Sequence, residues 1–178
     1  MSNPSAALLT PSTCNPDELR RALRHIGSTV YVIGLKTPDG AFFATTATAV
    51  TSVCLEPPTL AVCLNRSSAI GKHVAAGSNL SICALARSQG EISRACAGGV
   101  PHEEREGFFA PADGPDQLHI PGAKASFIGT CIQVIDVGTH ALALVHITNV
   151  VATDEDEPLL YLGGAYGGFQ LEPCKAEA

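Results

Sequence analysis

The stretch "FFATTATAVTSVCLEPPTLAVCLNRSS", Phe42 to Ser68, decides how the rest of the chain is read. Two phenylalanines lead into a run of alanines and hydroxyls. The chain then turns through Pro57-Pro58 and forms a strand in which Leu60, Val62 and Leu64 alternate with Ala61 and Cys63, ending on Asn65-Arg66-Ser67-Ser68. A period of two marks a pleated strand. A segment that served only a core would carry large branched side chains where Thr45-Thr46-Ala47-Thr48-Ala49 stands, so this segment keeps its backbone accessible.

Working outward, Asn15-Pro16-Asp17-Glu18 predicts a helix start, with Asn as N-cap and Pro at the first helical position. Leu19, Leu23 and Ile26 share one face of that helix, and Gly27 closes it. "STVYVIGLK" follows as a β-branched strand, turned by Thr37-Pro38-Asp39-Gly40 into the strand that opens with Phe42, a hairpin. Downstream, "AIGKHVAAG" reads as a short helix, "NLSICAL" as a strand and "SQGEISRACAGG" as a helix ending on glycine. Val100 to Gly122 is rich in Pro, Gly and charge and reads as an irregular surface excursion. "KASFIGTCIQVIDV" and "THALALVHITNV" form a long hairpin, followed by the short strand "LLYL" and the closing "GGAYGGF".

Strands dominate, connections are short and helices are few, which predicts a mainly β fold, an antiparallel barrel with peripheral helices, over a doubly wound parallel sheet. At 178 residues the chain fits one domain, read here as 15–170 between tails at 1–14 and 171–178. Aromatic residues are only 5% and Trp is absent, so the core must be built from Ala, Val, Leu and Ile.

A net charge of −6 argues against nucleic-acid and anionic-membrane partners. The N-terminus has no basic start and no long apolar run, so neither a secretion signal nor an anchor is read there. The 7 cysteines are odd in number and none forms a C-x-x-C pair, which suits free thiols in a reducing cytoplasm, each read as a small buried hydrophobe. No G-x-G-x-x-G, Walker-type or G-x-S-x-G motif is present. His102-Glu103-Glu104 begins like a zincin helix, but no second histidine follows at the required turn and its Pro- and Gly-rich surroundings do not predict a helix, so no metal site is read there and "HEERE" is taken as a solvated charge cluster.

Two stretches point to a ligand. Small side chains over Thr45 to Ser52 let a flat molecule approach the peptide plane, and exposed N–H groups and hydroxyls match the edge of a flavin ring; a threonine-rich edge strand facing water would read the same way. Asn65-Arg66-Ser67-Ser68 lies between a strand and a helix, where free N–H groups, hydroxyls and Arg66 can surround a phosphate; an ordinary serine N-cap is the alternative.

"TTATAVTSVCLEPPTLAVCLNRSS" resembles the signature of the flavin reductase-like, FMN-binding split-barrel family, in particular the small NAD(P)H:flavin reductases that serve two-component aromatic monooxygenases. The likeness runs from Arg21 to Phe169 and includes "LSICALARSQ", "GTHALALVHITNV" and "GGAYGGF". The resemblance implies that Thr46, Ala47, Thr48 and Ala49 meet the isoalloxazine edge, largely through backbone. It implies that Asn65, Arg66, Ser67 and Ser68 hold the ribityl and phosphate end, with Cys83 nearby where the family often has asparagine. His140 matches a histidine on the nicotinamide side and Tyr166 an aromatic at the mouth. Ala165 stands where a basic residue is frequent, and Cys54 where serine is usual.

The implied cofactors are FAD or FMN, as substrate or loosely bound, with NADH as hydride donor. The implied partners are a second copy of the chain and a separate oxygenase that receives reduced flavin. Hydride transfer needs orientation rather than an acid or base, so no catalytic side chain is required and His140 is the one candidate. Two other readings of the same barrel stand beside this one: a flavin-binding electron carrier without NADH turnover, and an oxidase of pyridoxine phosphate.

Overall fold

The computed structural model describes residues 14–112 and 117–169. The tails expected at 1–14 and 171–178 lie, Cys14 apart, outside the described residues. Helix α1 (Pro16–Leu23) starts as read: Asp17 N–H donates to Asn15 Oδ1 at 2.9 Å and Pro16 occupies the first turn. Its apolar face is not buried, however, because Leu19, Leu23 and Ile26 are all exposed. The helix is tethered where Gly163 N–H donates to Arg24 O at 3.0 Å.

The strands are β1 (Ser28–Thr29), β2 (Tyr31–Lys36), β3 (Phe42–Ala47), β4 (Val50–Leu55), β5 (Pro58–Asn65), β6 (Asn79–Ala84), β7 (Ala110–Pro111), β8 (Leu118–His119), β9 (Ala125–Val137), β10 (His140–Ala152), β11 (Leu160–Leu162) and β12 (Ala165–Gly167). Seven of them form one antiparallel sheet in the order β3-β2-β6-β9-β10-β5-β4, and β1-β11-β12 form a smaller one. A flat sheet of seven strands would separate β3 from β4 by roughly 29 Å. Ala47 and Val50 are three Cα steps apart, about 11 Å at most. The sheet must therefore roll up until its two edges meet at Thr48-Ala49. The sequence reads Thr45 to Ser52 as one stretch; in the structure β3 ends at Ala47 and β4 begins at Val50, on opposite edges of the sheet.

Register shifts in the β9–β10 ladder between Leu144/Val145 and Ile147/Asn149 supply the curvature. Gly129 lies beside the second shift, where a Cβ would stand 2.1 Å from His146 O, so only glycine lets the two long strands approach.

Two cores follow from the alternation. Ile33, Leu35, Val62, Leu64, Leu80, Ile82 and Val145 come from strands far apart in the order and fill the barrel interior. Val30, Val32, Ala44, Cys83, Leu85, Cys96 and Ile120 pack on the opposite face of β2 and β6. That second face is covered by the segment expected to be an irregular excursion. It contains α4 (His102–Arg105), a 3₁₀ turn over Glu106–Phe108, β7 and β8, and it buries Arg105 and Ile120. "HEER" thus does form a helix, begun after Pro101 and held against β3 by the buried Arg105, despite the Pro and Gly around it. The remaining helices are α2 (Ala69–His73) and α3 (Gly90–Arg94), the latter continuing into a wider turn that ends where Gly98 takes φ 124°.

The thiols divide the same way. Cys83, Cys96 and Cys131 are buried, whereas Cys14, Cys54 and Cys63 are exposed, so the reading of every cysteine as a core residue holds for only part of the described set.

Candidate functional site

The candidate site forms where β3 and β4 meet. Antiparallel pairing turns the peptide groups of alternate residues to the same side. Arg105 Nη1 donates to Ala44 O at 2.6 Å, on the side of β3 away from β2, and Thr46, two residues on, shares that direction. Thr48 and Ala49 are exposed and carry only small side chains over the seam. Ala49 O accepts from Cys63 N–H at 3.0 Å, which fixes the seam two residues along β5 from Asn65.

At the end of β5 the chain folds over itself. Asn65 Oδ1 accepts from Ser67 N–H at 2.8 Å and from Ser67 Oγ at 2.9 Å. Ser68 Oγ donates to Asn65 O at 2.6 Å and accepts from Gly71 N–H at 3.1 Å, making Ser68 the N-cap of α2. α2 lies so close that a Cβ on Gly71 would meet Asn65 O at 2.0 Å. Arg66 does not stand free. Its Nε donates to Asp136 at 2.7 Å, its Nη1 to Gly71 O at 2.8 Å, and its N–H to Thr139 O at 2.9 Å. The guanidinium therefore clips the turn to the β9–β10 hairpin rather than pointing at solvent.

That clip brings His140 into the same neighbourhood. His140 faces Asn65 across the β5–β10 ladder, is exposed, and shares a 2.9 Å hydrogen bond with Thr139 Oγ1 through Nδ1. Tyr166 reaches the site from the smaller sheet. Its hydroxyl lies 2.8 Å from Ser93 Oγ, and Thr46 Oγ1 donates to Ser93 O at 2.6 Å. The structure thus gathers Thr46, Ala47, Thr48 and Ala49, the Asn65–Ser68 turn, His140 and Tyr166 around one seam.

Cys83 is the exception. It shares a ladder row with Val32 and Thr46, but it is 0% exposed beneath the covering segment and presents no surface to a ligand. Its expected contact with a cofactor is corrected to a packing role beneath β3. Burial pushes its thiol up to about 11, opposed by a hydrogen bond with Ser126, and burial raises Cys96 to about 11 as well.

Three residues escaped the sequence reading. Ser93 carried no signal, being one small polar residue in a short helix. Arg105 was hidden in a charge run, yet it is only 7% exposed and donates solely to main-chain carbonyls, those of Ala44, Cys96 and Val100. Asp136 sits in the turn region between the two long strands, and no local pattern links it to Arg66, 70 residues away.

At this seam the small residues Ala47 and Ala49 flank an outward peptide edge, and a hydroxyl-rich turn lies one strand away. The Flavin reductase like domain matches residues 23–170. An FMN reductase (NADH) RutF from Stutzerimonas stutzeri is 35% identical over 86% of this chain and 88% of its own. The 4-hydroxyphenylacetate 3-monooxygenase reductase component of Pseudomonas aeruginosa is 31% identical over 85% of this chain and 90% of its own. The Streptomyces globisporus NADH:FAD oxidoreductase SgcE6, solved with NAD and FAD fragments, superposes with a TM-score of 0.77 at 19% identity, covering 93% of this chain and 99% of that one, and supports the split-barrel fold. With the family match spanning most of its length and relatives above 30% identity over most of both chains, this chain belongs to the flavin reductase-like family of split-barrel oxidoreductases.

Proposed function

We propose that this chain is an NADH-dependent flavin reductase that reduces FAD or FMN and releases it to a separate aromatic-compound monooxygenase. The observation that carries the reading is the convergence of an open peptide edge at Thr46–Ala49 with the Asn65–Ser68 turn and His140. The relatives' names agree with it: one is an FMN reductase (NADH), another a 4-hydroxyphenylacetate 3-monooxygenase reductase component.

When bound, flavin accepts the hydride at N5 from nicotinamide C4. The chain's own contribution is orientation. Thr46 and Thr48 offer peptide groups to the ring edge beside Ala47, which pairs with Tyr31 on β2, and Ala49, whose carbonyl holds Cys63 N–H, while the small side chains of all four leave the ring's face open to the second substrate. Asn65, Ser67 and Ser68 hold the ribityl and phosphate end, and Arg66 shapes that turn through Gly71 and Asp136 while lending it positive charge. His140 and Tyr166 flank the nicotinamide. Holding the reacting atoms ~3–3.5 Å apart supplies the acceleration without an acid or base. A shallow site lined by small residues also lets reduced flavin leave.

A homodimer accompanies this reading. Val53 and Leu55 on β4, Ile132 and Val137 on β9, and Val150 on β10 are exposed apolar residues on the barrel, and a second copy of the chain would cover them. Sedimentation as a dimer at micromolar concentration is expected; a monomer would contradict it. Free thiols suit a reducing cytoplasm, and no described helix is long and apolar enough to cross a membrane.

Steady-state assays crossing FAD and FMN with NADH and NADPH test the function. Consumption of NADH that depends on added flavin is expected. No consumption with either flavin would overturn the reading. Ser67→Ala should raise the flavin KM roughly tenfold, the loss of about one charge-assisted hydrogen bond.

A further inference from the structure

Tyr166 belongs to β12 of the three-stranded sheet, whereas Thr46 lies on the rim of the seven-stranded one. No ladder joins the two sheets at these residues. What joins them is Ser93 of α3. Its carbonyl accepts from Thr46 Oγ1 at 2.6 Å and its hydroxyl shares a 2.8 Å hydrogen bond with Tyr166 Oη. Ser93 is 0% exposed and its partners Thr46 and Tyr166 are half-buried, so leaving the serine's own groups unpaired is expensive. Packing alone would be served as well by alanine at this position; the hydroxyl has the tyrosine as its partner.

Neighbouring groups reinforce the link. The guanidinium of Arg94, the next residue in α3, stands 5.1 Å from the centroid of the Tyr166 ring, and Tyr161 meets that ring edge-on at 5.8 Å. These contacts hold the body of the ring. Among the described residues the Ser93 hydroxyl is the hydrogen-bond partner of its polar tip, and it acts from the residue that also holds Thr46.

We infer that Ser93 is a positioning residue that sets Tyr166 at a fixed distance from Thr46 and so governs the spacing between the bound flavin ring and the nicotinamide. The inference rests on the reading above, in which Thr46 borders the flavin and Tyr166 the nicotinamide. Hydride transfer is sensitive to that spacing, and a misplacement of about an ångström is enough to slow it markedly. The two hydrogen bonds of Ser93 are separable by mutation, because one uses the side chain and the other the main chain. Ser93→Ala removes the bond to Tyr166 and leaves the acceptor for Thr46.

The experiment compares Ser93→Ala, Tyr166→Phe and the double variant, reading the NADH KM and kcat together with the flavin dissociation constant from fluorescence quenching. Each single variant should lower kcat and raise the NADH KM, cutting kcat/KM for NADH about five- to tenfold, with flavin affinity changed less than about twofold, the size expected for one lost hydrogen bond. The double variant should be no worse than the poorer single one, since both delete the same bond. A wild-type kcat/KM for NADH in Ser93→Ala, with a lowered one in Tyr166→Phe, would overturn the inference and leave the functional reading standing. If Tyr166→Phe also kept the wild-type kcat/KM, the assignment of Tyr166 to the nicotinamide side would fail, and the inference with it. Effects that multiply in the double variant, or a parallel loss of flavin affinity and stability in Ser93→Ala, would likewise overturn it. Should Ser93→Ala not fold, Ser93→Cys takes its place: its weaker donor should give an intermediate kcat/KM for NADH, and a wild-type value would count against the inference.

Discussion

Arg105 and Ala44 are joined by a 2.6 Å hydrogen bond from a buried guanidinium to a main-chain carbonyl, which pins β3 to the covering segment just before the strand becomes the rim of the site. The same side chain serves Cys96 O and Val100 O. Replacing it with methionine keeps most of the volume but strips three carbonyls of a donor, those of Ala44 and Cys96 buried and that of Val100 half-buried. Each orphaned group costs ~1–3 kcal/mol, so Arg105→Met should destabilise the fold by about 3 kcal/mol or more. In a domain of this size that lowers Tm by roughly 6–12 °C. Calorimetry checks it, and an unchanged Tm would show that the guanidinium holds nothing together.

His102 neighbours this arginine and edges Phe43, with ring centroids 5.7 Å apart. Burial, then the positive charge of Arg105, holds its pKa below the ordinary 6.5, against a smaller opposing pull from Glu103. The unfolded chain takes up a proton near 6.5 while the folded one resists. The stability owed to His102 is therefore complete above that pH and is lost as pH falls through 6.5 toward the lower folded value. Asp39 and Asp156, also held low, act only below their ordinary 3.8 and do not overlap this window. Urea midpoints at pH 7.5 and 5.5 should drop in the native protein and drop less in His102→Gln; equal drops would remove His102 as the cause.

The exposed and buried thiols should separate cleanly by reactivity. Thiolate is the reactive form, and Cys83 and Cys96, both pushed up to about 11, carry almost none of it at neutral pH. Cys131 is buried and raised as well, whereas Cys54 and Cys63 are exposed. Brief maleimide labelling followed by peptide mapping should mark Cys54 and Cys63 and spare the other three until urea is added. Cys63 also borders Ala49, so saturating FAD should slow its labelling. Labelling of Cys83 in the native protein would show that the covering segment opens.

Gly71 tests the turn. An added methyl would press on Asn65 O from 2.0 Å, and backbone offers no easy escape. Gly71→Ala should push α2 off the end of β5, disturb the Ser67 and Ser68 contacts with Asn65, and weaken flavin binding about tenfold or more at a cost of ~1–3 kcal/mol in stability. Fluorescence titration decides it: unchanged affinity would separate the turn from the flavin site.

The parts of this molecule that were readable from sequence are those in which neighbours in the chain dictate the structure. Asn15 and Pro16 start a helix, the alternation from Leu60 to Leu64 makes a strand, and Thr37 to Gly40 turns a hairpin that closes with Thr37 N–H donating to Ala41 O at 2.8 Å. What escaped depends on distant groups. The break at Thr48-Ala49 exists because β3 and β4 end at opposite edges of one rolled sheet, which no local pattern encodes. Arg105 looks like a surface charge until Ala44 and Cys96 are brought to it, and Cys83 loses its access only when Ile120 and its neighbours fold over β6. The candidate site is proposed from two sequence stretches; the links between the elements that carry it, Arg66 to Asp136 and Ser93 to Tyr166, span 70 and 73 residues.

A crystal structure with FAD bound tests the central claim most directly. The isoalloxazine edge should lie against the backbone of Thr46 to Ala49, with the phosphate beside Asn65, Ser67 and Ser68 and the open face of the ring toward His140 and Tyr166. Density for the ring elsewhere on the barrel, with that seam closed by the chain's own side chains, would contradict it.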